Sequence, residues 1–360
     1  MYRERHKVEI QELLQLTVER KASDLHLVVG VPPSLRIDGV ISQISGKEAL
    51  TAELSKTLVM AIMTPEQKDL FLANKEIDFS FAFGETGRFR VNAYHQKGSM
   101  SAALRLIPSQ ILTVEQLRLP KQIHQIASLR QGLVLVTGPT GHGKSSTLAA
   151  IIEEINQTRA EHIVTIEDPI EFLHQPAKSF ISQRELHADT HSWKVALRSV
   201  LRQDPDVVLV GELRDYETIA AAITVAETGH LVLATVHTNS AAQTVDRIID
   251  VFPEHQQQQV RMQFANSIEV VLSQRLIPSI KGGRVPATEV LLATPAVRNT
   301  IREAKTHQID NVIQTSAELG MMTLEGSLAQ WVKAGEIAMD VAQSFSLRPN
   351  ELARLLQGSK

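Results

Sequence analysis

Residues 133–152 read LVLVTGPTGHGKSSTLAAII. The aliphatic residues at 133–136 predict a buried strand, and the residues from 146 onward favour a helix. Between them, residues 138–145 satisfy the pattern G-x-x-x-x-G-K-[ST], whose glycines let the backbone wrap a polyphosphate while its N–H groups face the anion. The stretch therefore predicts a phosphate-binding loop between a strand and a helix of an α/β domain.

The pattern also assigns roles to side chains in the loop. Lys144 is expected to reach the β- and γ-phosphates, and the hydroxyl of Ser145 is expected to ligate Mg²⁺. ATP and Mg²⁺ are therefore the expected nucleotide and cofactor. The predicted binding residues are Gly138, Pro139, Thr140, Gly141, His142, Gly143, Lys144, Ser145 and Ser146.

Two acidic residues follow later apolar strands. Residues 204–212 read DPDVVLVGE, and Glu212 at the end of this strand is the candidate for organising Mg²⁺ through water. Residues 165–171 read TIEDPIE, and Glu167 is a candidate base for the attacking water, because parallel sheets bind ligands at the carboxyl ends of their strands. Taken alone, Glu212 could be a helix cap or a surface residue, and Asp168 with Pro169 could merely form a turn. The sequence leaves open whether Glu167 or Glu212 is the base.

Two histidines, His230 and His237, bracket the apolar stretch 231–236. Either could sense the γ-phosphate or a neighbouring subunit. The alternative is a buried polar network without a catalytic role. No H-E-x-x-H spacing occurs in the sequence, so a transition-metal site is not expected.

The periodicity of apolar residues changes along the chain. Alternating stretches such as 77–83 and 88–94 predict antiparallel strands in an α+β domain. Later strands are continuous apolar runs separated by helical segments, which predicts a largely parallel sheet covered on both faces. The assigned regions are an N-terminal domain at 1–107, a proline-flanked linker at 108–120, a P-loop core at 121–295 and a helical C-terminal segment at 296–360.

Composition restricts the class of protein further. The chain has 360 residues, 43% hydrophobic and 21% charged, an ordinary globular balance with room for two or three domains. Its net charge of -3 gives no overall attraction to nucleic acid, which is not an expected partner. The absence of cysteine excludes disulfides and thiolate zinc sites. No segment reaches the roughly 18 apolar residues of a membrane span, so we expect a cytoplasmic protein without direct membrane insertion.

With these elements in order, the chain resembles the secretion-type ATPases, and within them the retraction ATPases of type IV pili. Residues 138–145 look like the Walker A motif of that family, and residues 206–212 look like its Walker B motif. Residues 165–198 resemble its Asp box, and residues 228–237 resemble its His box. The similarity covers nearly the whole chain.

The resemblance implies a fold and an assembly. The fold would be a RecA-like P-loop ATPase domain with a parallel-rich central sheet, preceded by an α+β PAS-like domain and followed by a helical C-terminal segment. The assembly would be a ring-shaped homo-hexamer, in which arginines of the N-terminal domain neutralise charge in the transition state. Arg90 and Arg105, on adjacent predicted strands, are the candidates, although each could be a solvated edge residue.

The branch of the family follows from two features. Pilus-assembly and type II secretion motors commonly carry a tetracysteine zinc module, and this chain has no cysteine. Residues 296–303, AVRNTIRE, resemble the C-terminal signature of retraction motors, and Arg298, Arg302 and Lys305 are predicted to share one helical face. His142 departs from the family, which usually has a small residue there, and its side chain is expected to point outward.

The implied function is ATP hydrolysis that powers pilus retraction, and thus twitching motility, by acting on an inner-membrane platform protein. The ring would lie in the cytoplasm, peripheral to the inner membrane through the pilus machine. Two alternatives stay open. One is an assembly or secretion ATPase without its zinc module. The other is an accessory ring subunit that binds ATP with little turnover. Whether a paralogous retraction motor is a further partner is also left open.

Overall fold

A computed structural model of the protein describes residues 9–37, 39–84, 87–108 and 110–357. The chain divides into two units, each with its own β-sheet and hydrophobic core. The first unit contains Met1–Gln110 and the short segment Pro169–Leu173, and the second contains Ile111–Asp168 and His174–Lys360.

The first unit is built on an antiparallel sheet with the strand order β3-β2-β1-β6-β5-β4. Successive side chains of a strand point to opposite faces of this sheet. In one strand Phe89, Val91 and Ala93 are buried, while Arg88 and Arg90 point to the other face. The α+β organisation predicted for this region is present. Its elements are α1 (Ile10–Glu19), β1 (Asp24–Leu27), β2 (Ser34–Ile37), β3 (Val40–Gln43), α2 (Ala52–Ala61), α3 (Pro65–Asn74), β4 (Glu76–Phe83), β5 (Gly87–Gln96) and β6 (Ser99–Pro108).

The second unit is built on a sheet with the strand order β13-β12-β7-β11-β10-β8-β9, in which every pairing is parallel except that of β12 with β13. Its first elements are α4 (Gln122–Ser128), β7 (Gly132–Thr137), α5 (Lys144–Thr158), β8 (His162–Glu167), β9 (Phe180–Glu185), α6 (Trp193–Val200), β10 (Val207–Val210), α7 (Tyr216–Glu227) and β11 (Leu231–Val236). The remaining elements are α8 (Ala241–Asp250), α9 (Glu254–Ser267), β12 (Ile268–Pro278), β13 (Arg284–Leu292), α10 (Pro295–Arg302), α11 (Ile309–Thr315), α12 (Leu324–Lys333), α13 (Met339–Phe345) and α14 (Pro349–Gln357), with 3-10 turns at Thr306–Gln308 and Ala317–Leu319.

The predicted α/β fold with a parallel-rich sheet and a helical C-terminal segment is confirmed by this topology. The four predicted strands correspond to β7, β8, β10 and β11, whose aliphatic residues are buried because helices cover both faces. Strands β9, β12 and β13 were not predicted. None of the helices in the described part of the chain is long and apolar enough to cross a bilayer.

Part of the predicted linker at 108–120 packs against the second unit. The two units divide between Gln110 and Ile111. After that point Val114 is buried, and Leu117 and Leu119 pack against the core of the second unit. Their apolar side chains fix this part of the segment to the second unit, since exposing them to water would be unfavourable.

Contrary to the prediction, Arg298, Arg302 and Lys305 do not share one helical face. Arg298 donates to two backbone carbonyls at the end of α9 and pairs with Glu269 at 2.7 Å, so it caps a helix. The prediction for Lys305 was wrong, because α10 ends at Arg302 and the backbone of Ala304 turns left-handed at φ 57°.

A partly buried charge network holds the C-terminal helices to the sheet. The guanidinium of Arg348 lies 3.2 Å from Glu289, 3.5 Å from Asp310, 3.6 Å from Glu325 and 3.5 Å from Glu351. These carboxylates come from β13, α11, α12 and α14. Because one guanidinium contacts all four carboxyl groups, moving any of these elements would break one of its contacts.

Glu289 is the most constrained member of this network. Its side chain is 1% exposed, and one carboxylate oxygen accepts from the backbone N–H of Ala241 at 2.7 Å. Burial raises the pKa of Glu289 to about 7; the Ala241 bond and Arg348 oppose this rise, while Asp310 and Glu325 add to it. The carboxyl therefore holds a proton well into the neutral range.

Glu289→Gln should change the pH dependence of stability. Since the folded pKa of about 7 lies above the ordinary value of 4.5, the stabilisation from the neutral carboxyl is complete below about pH 4.5 and is lost as the pH rises through 7. An amide cannot ionise, so the free energy of unfolding of the variant should gain on that of the wild type by about 3 kcal/mol between pH 4.5 and 8. Denaturant unfolding at pH 5 and pH 8 measures this. A difference that stays constant with pH would contradict it.

Candidate active site

The loop between β7 and α5 depends on glycine. Gly138, Gly141 and Gly143 have φ values of 142°, 79° and 83°, which other residues rarely adopt. A Cβ atom on Gly138 would also lie 2.2 Å from the carbonyl oxygen of Gln274, a distance that no side chain tolerates. The predicted wrapped backbone is therefore present.

The N-terminus of α5 has no side-chain cap. Its N-cap is Gly143, whereas Ser192, Asp215 and Ser240 cap α6, α7 and α8 with side-chain oxygens. The first N–H groups of a helix need acceptors, and the helix dipole favours a negative one. This start of α5 is suited to an anion such as a phosphate group.

Lys144 places its charge inside the loop. The side chain is buried, and its ammonium group donates to the carbonyl oxygens of Gly138 at 2.9 Å and Pro139 at 3.0 Å. The same nitrogen lies 3.4 Å from Nδ1 of His237. The ammonium is thus central to the loop, where the pattern predicts the phosphates to bind.

The side chain of His142 was expected to point outward, but it points towards β12. Its Nδ1 accepts from the backbone N–H of Leu276 on β12 at 2.9 Å, and its carbonyl oxygen accepts from the side-chain amide of Gln274 at 2.9 Å. An unpredicted strand explains the difference, because β12 offers the imidazole a partly buried hydrogen-bond donor.

His237 connects the loop to Glu212. Its Nε2 lies 3.2 Å from Oε1 of Glu212, and its Nδ1 lies 3.5 Å from the hydroxyl of Thr140. A neutral ring protonated on Nε2 would donate to the acid and accept from Thr140 and Lys144. The structure therefore brings together three predicted groups: the loop, Glu212 and His237.

Arg214 was missed by the sequence reasoning. It binds the other oxygen of Glu212 at 2.8 Å, and the only signal was its position two residues after the acid. Burial raises the pKa of Glu212, but the hydrogen bond and charge of Arg214, with His237 and Lys144, outweigh it, and the net shift is downward. Glu212 is an ionised carboxylate at neutral pH.

Glu167 lies at the end of the neighbouring strand. Its Oε1 accepts from the hydroxyl of Thr165 at 2.7 Å and lies 3.4 Å from the amide nitrogen of Gln183. A Cβ atom on Gly211 would come within 3.3 Å of the Cα of Glu167, so the ends of β8 and β10 adjoin. Both predicted acids therefore lie at the carboxyl edge of the sheet.

His230 lies at the opposite edge. Its Nδ1 is 3.0 Å from the hydroxyl of Thr228 and 3.1 Å from the carbonyl oxygen of Val225, at the end of α7. Strand β11 separates it from His237, a span of about 20 Å at roughly 3.3 Å per residue. His230 is too far from the loop of its own chain to take part in chemistry there. Its predicted catalytic role would therefore require the loop of a different chain.

Arg90 and Arg105 belong to the first unit, where they are register partners on β5 and β6. Arg105 binds Asp24 at 2.9 Å, and Arg90 lies 3.9 Å from Glu171. Both side chains keep substantial exposure, 69% for Arg105 and 40% for Arg90. Neither arginine is buried, so each could contact an anion, and their predicted role at the loop stays a prediction.

Oxygen ligands suited to Mg²⁺ are available beside the loop. Ser145 is in the first turn of α5, and the carboxylate of Glu212 is ionised and partly buried. Mg²⁺ prefers such oxygens together with nucleotide phosphates, rather than a cage of protein ligands. Among the described residues there is no group of three or more histidine, cysteine or acidic side chains that could hold a metal ion.

The family model described as "Type II/IV secretion system protein" matches residues 5–282. The chain belongs to this family. Within the type II/IV secretion family, it is 47% identical over 342 residues to the type IV pilus retraction ATPase PilT of Pseudomonas aeruginosa, which covers 95% of this chain and 99% of that protein. It is 39% identical over 351 residues to the type IV pilus ATPase PilU of the same organism. That alignment covers 97% of this chain and 92% of PilU.

Solved structures of the family agree. A crystal structure of the pilus retraction motor PilT with bound ADP superposes with a TM-score of 0.90 at 44% identity, covering 97% of this chain and 100% of that chain. The predicted resemblance to the secretion-type ATPases, and to pilus retraction ATPases among them, is confirmed.

Glu212→Gln and Glu167→Gln should separate the two acids. We expect Glu212→Gln to lower kcat for ATP hydrolysis by at least about 100-fold, because the amide cannot accept a proton, while ADP still binds the loop. Glu167→Gln should lower kcat less, since its carboxylate is engaged by Thr165 and Gln183. Phosphate release and ADP calorimetry measure these effects. A larger loss in Glu167→Gln would instead make Glu167 the base.

Proposed function

We propose that this protein is a motor ATPase that powers retraction of type IV pili, and hence twitching motility. The observation that carries the proposal is the connection from Lys144 through His237 to Glu212, in a chain that matches PilT over nearly its whole length. The bound ADP in the related PilT structure supports a nucleotide at this loop.

In the proposed reaction, Lys144 and the N–H groups of the loop hold the β- and γ-phosphates of ATP. Ser145 and, through water, Glu212 would hold Mg²⁺, and the ion would neutralise phosphate charge. Glu212 accepts a proton from the attacking water, and His237 positions that carboxylate through its Nε2. Arg90 and Arg105 are proposed to neutralise transition-state charge, and His230 is proposed to act only from a neighbouring chain.

The proposed assembly is a homo-hexamer at the cytoplasmic side of the inner membrane. Closure of N-terminal domains on C-terminal domains would couple hydrolysis to movement of a platform protein in that membrane. The similarity to both PilT and PilU is compatible with a motor that works alone or beside a paralogous ring. Family membership supports this assembly.

Lys144→Ala tests the enzymatic part. Removing the ammonium that lies inside the loop should reduce ATP hydrolysis to background and weaken nucleotide binding, because this charge lies where the phosphates are proposed to bind. Lys56→Ala, at an exposed position of α2, is the control and should behave as the wild type. Steady-state phosphate release measures both. Wild-type protein that binds ATP but hydrolyses no more than Lys144→Ala would favour the accessory ring subunit.

Deletion of the gene tests the biological part. Cells without a retraction motor should still bear pili but should fail to retract them and to twitch, and the wild-type gene should restore both. Electron microscopy of surface pili with a twitching assay gives the answer. Cells that lose their pili would point to an assembly or secretion ATPase without a zinc module.

A further inference from the structure

Strand β12 runs beside β7 and continues along the phosphate loop. Ser273 pairs with Thr137, the last residue of β7, and the Thr137 hydroxyl donates to that of Ser273 at 2.9 Å. The next residue, Gln274, therefore lies against Gly138, whose missing Cβ makes room for the Gln274 carbonyl. The start of the loop rests on the backbone of this strand.

The side chain of Gln274 reaches the other end of the loop. It is 3% exposed, its Nε2 donates to the carbonyl oxygen of His142 at 2.9 Å, and its Oε1 accepts from the hydroxyl of Thr147 at 2.7 Å. A Cβ atom on Gly143 would lie only 2.9 Å from the same Nε2. One buried amide thus joins the tip of the loop to the first turn of α5, and both of its polar ends are used.

The ring of His142 adds a second bond to β12. Its Nδ1 accepts from the backbone N–H of Leu276 at 2.9 Å, which requires an unprotonated Nδ1. Burial lowers the pKa of His142, and the charges of Arg275, Arg284 and Lys144 lower it further. The ring is therefore neutral near pH 7, as the bond to Leu276 requires.

We propose that Gln274, with His142 as its partner in the loop, is a positioning residue that holds the phosphate loop in its nucleotide-binding shape before nucleotide arrives. This inference rests on the proposed function, because it concerns the same site. A loop whose N–H groups already converge loses less conformational entropy when a phosphate binds. If the loop were free, its apparent affinity would fall in proportion to the fraction of molecules in the competent shape.

Gln274→Met tests the role, because methionine has a similar length but neither donates nor accepts strongly. We expect the dissociation constant for ADP and the KM for ATP to rise at least about tenfold, because the two hydrogen bonds of the Gln274 amide are both lost. The kcat should change much less, since Glu212 and His237 are untouched. Gln122→Met is the matched control: it loses an amide bond to the carbonyl oxygen of Gly320 at 2.8 Å, and both constants should stay at wild-type values.

Two further comparisons separate positioning from general loss of structure. Thr147→Val removes the partner of Oε1, and the double variant with Gln274→Met should weaken ADP binding by less than the product of the single effects, because both changes break the same bond. His142→Ala should weaken binding, and His142→Asn should recover most of that loss, because its side-chain oxygen can accept from Leu276.

The outcomes distinguish this inference from the proposed function. If the wild type hydrolyses ATP and Gln274→Met has the same KM and ADP affinity as Gln122→Met, the positioning role is overturned and the proposed function stands. If the wild type binds no nucleotide, both the positioning role and the proposed function are overturned. Should Gln274→Met prove unstable in thermal unfolding, Thr147→Val and His142→Ala decide, and wild-type ADP affinity in both would overturn the role.

Discussion

Strand β7 is hydrogen-bonded in parallel to β11 on one side and β12 on the other, and the rest of the site depends on this double pairing. Thr137, its last residue, pairs with Val236 and with Ser273. Because both registers are fixed, the residues that follow on the three strands emerge together at the carboxyl edge of the sheet. The phosphate loop is therefore placed between His237, which reaches Glu212, and Gln274.

The helical C-terminal segment supports the same edge of the sheet from outside. Glu289 on β13 binds Arg348, which also contacts carboxylates on three C-terminal helices, and it accepts from the N–H of Ala241 at the start of α8. Helix α8 begins shortly after His237. Since moving β13 or the start of α8 would break a contact of Glu289, these bonds restrain both β13 and the segment that follows His237.

Local signals were sufficient for part of the site. The loop at 138–145 and the buried runs that became β7, β8, β10 and β11 could be predicted because glycine pattern and aliphatic continuity are properties of short segments. Strand β12 could not, because it follows α9 with no intervening breaker at Ser267 and Ile268. The one signal for the β12–β13 hairpin was the glycine pair Gly282 and Gly283, both with positive φ in the turn.

By itself, the sequence determined the chemistry: a phosphate loop with Lys144, acids at the ends of two strands, and an α/β fold to present them. Only the tertiary structure decided which of these groups meet. It brought His237 to Glu212 and left His230 at the far edge, because β11 runs the length of the sheet between them. It also turned His142 inward onto β12. Such choices depend on strand order and register, which join residues distant in sequence and leave no local pattern to read.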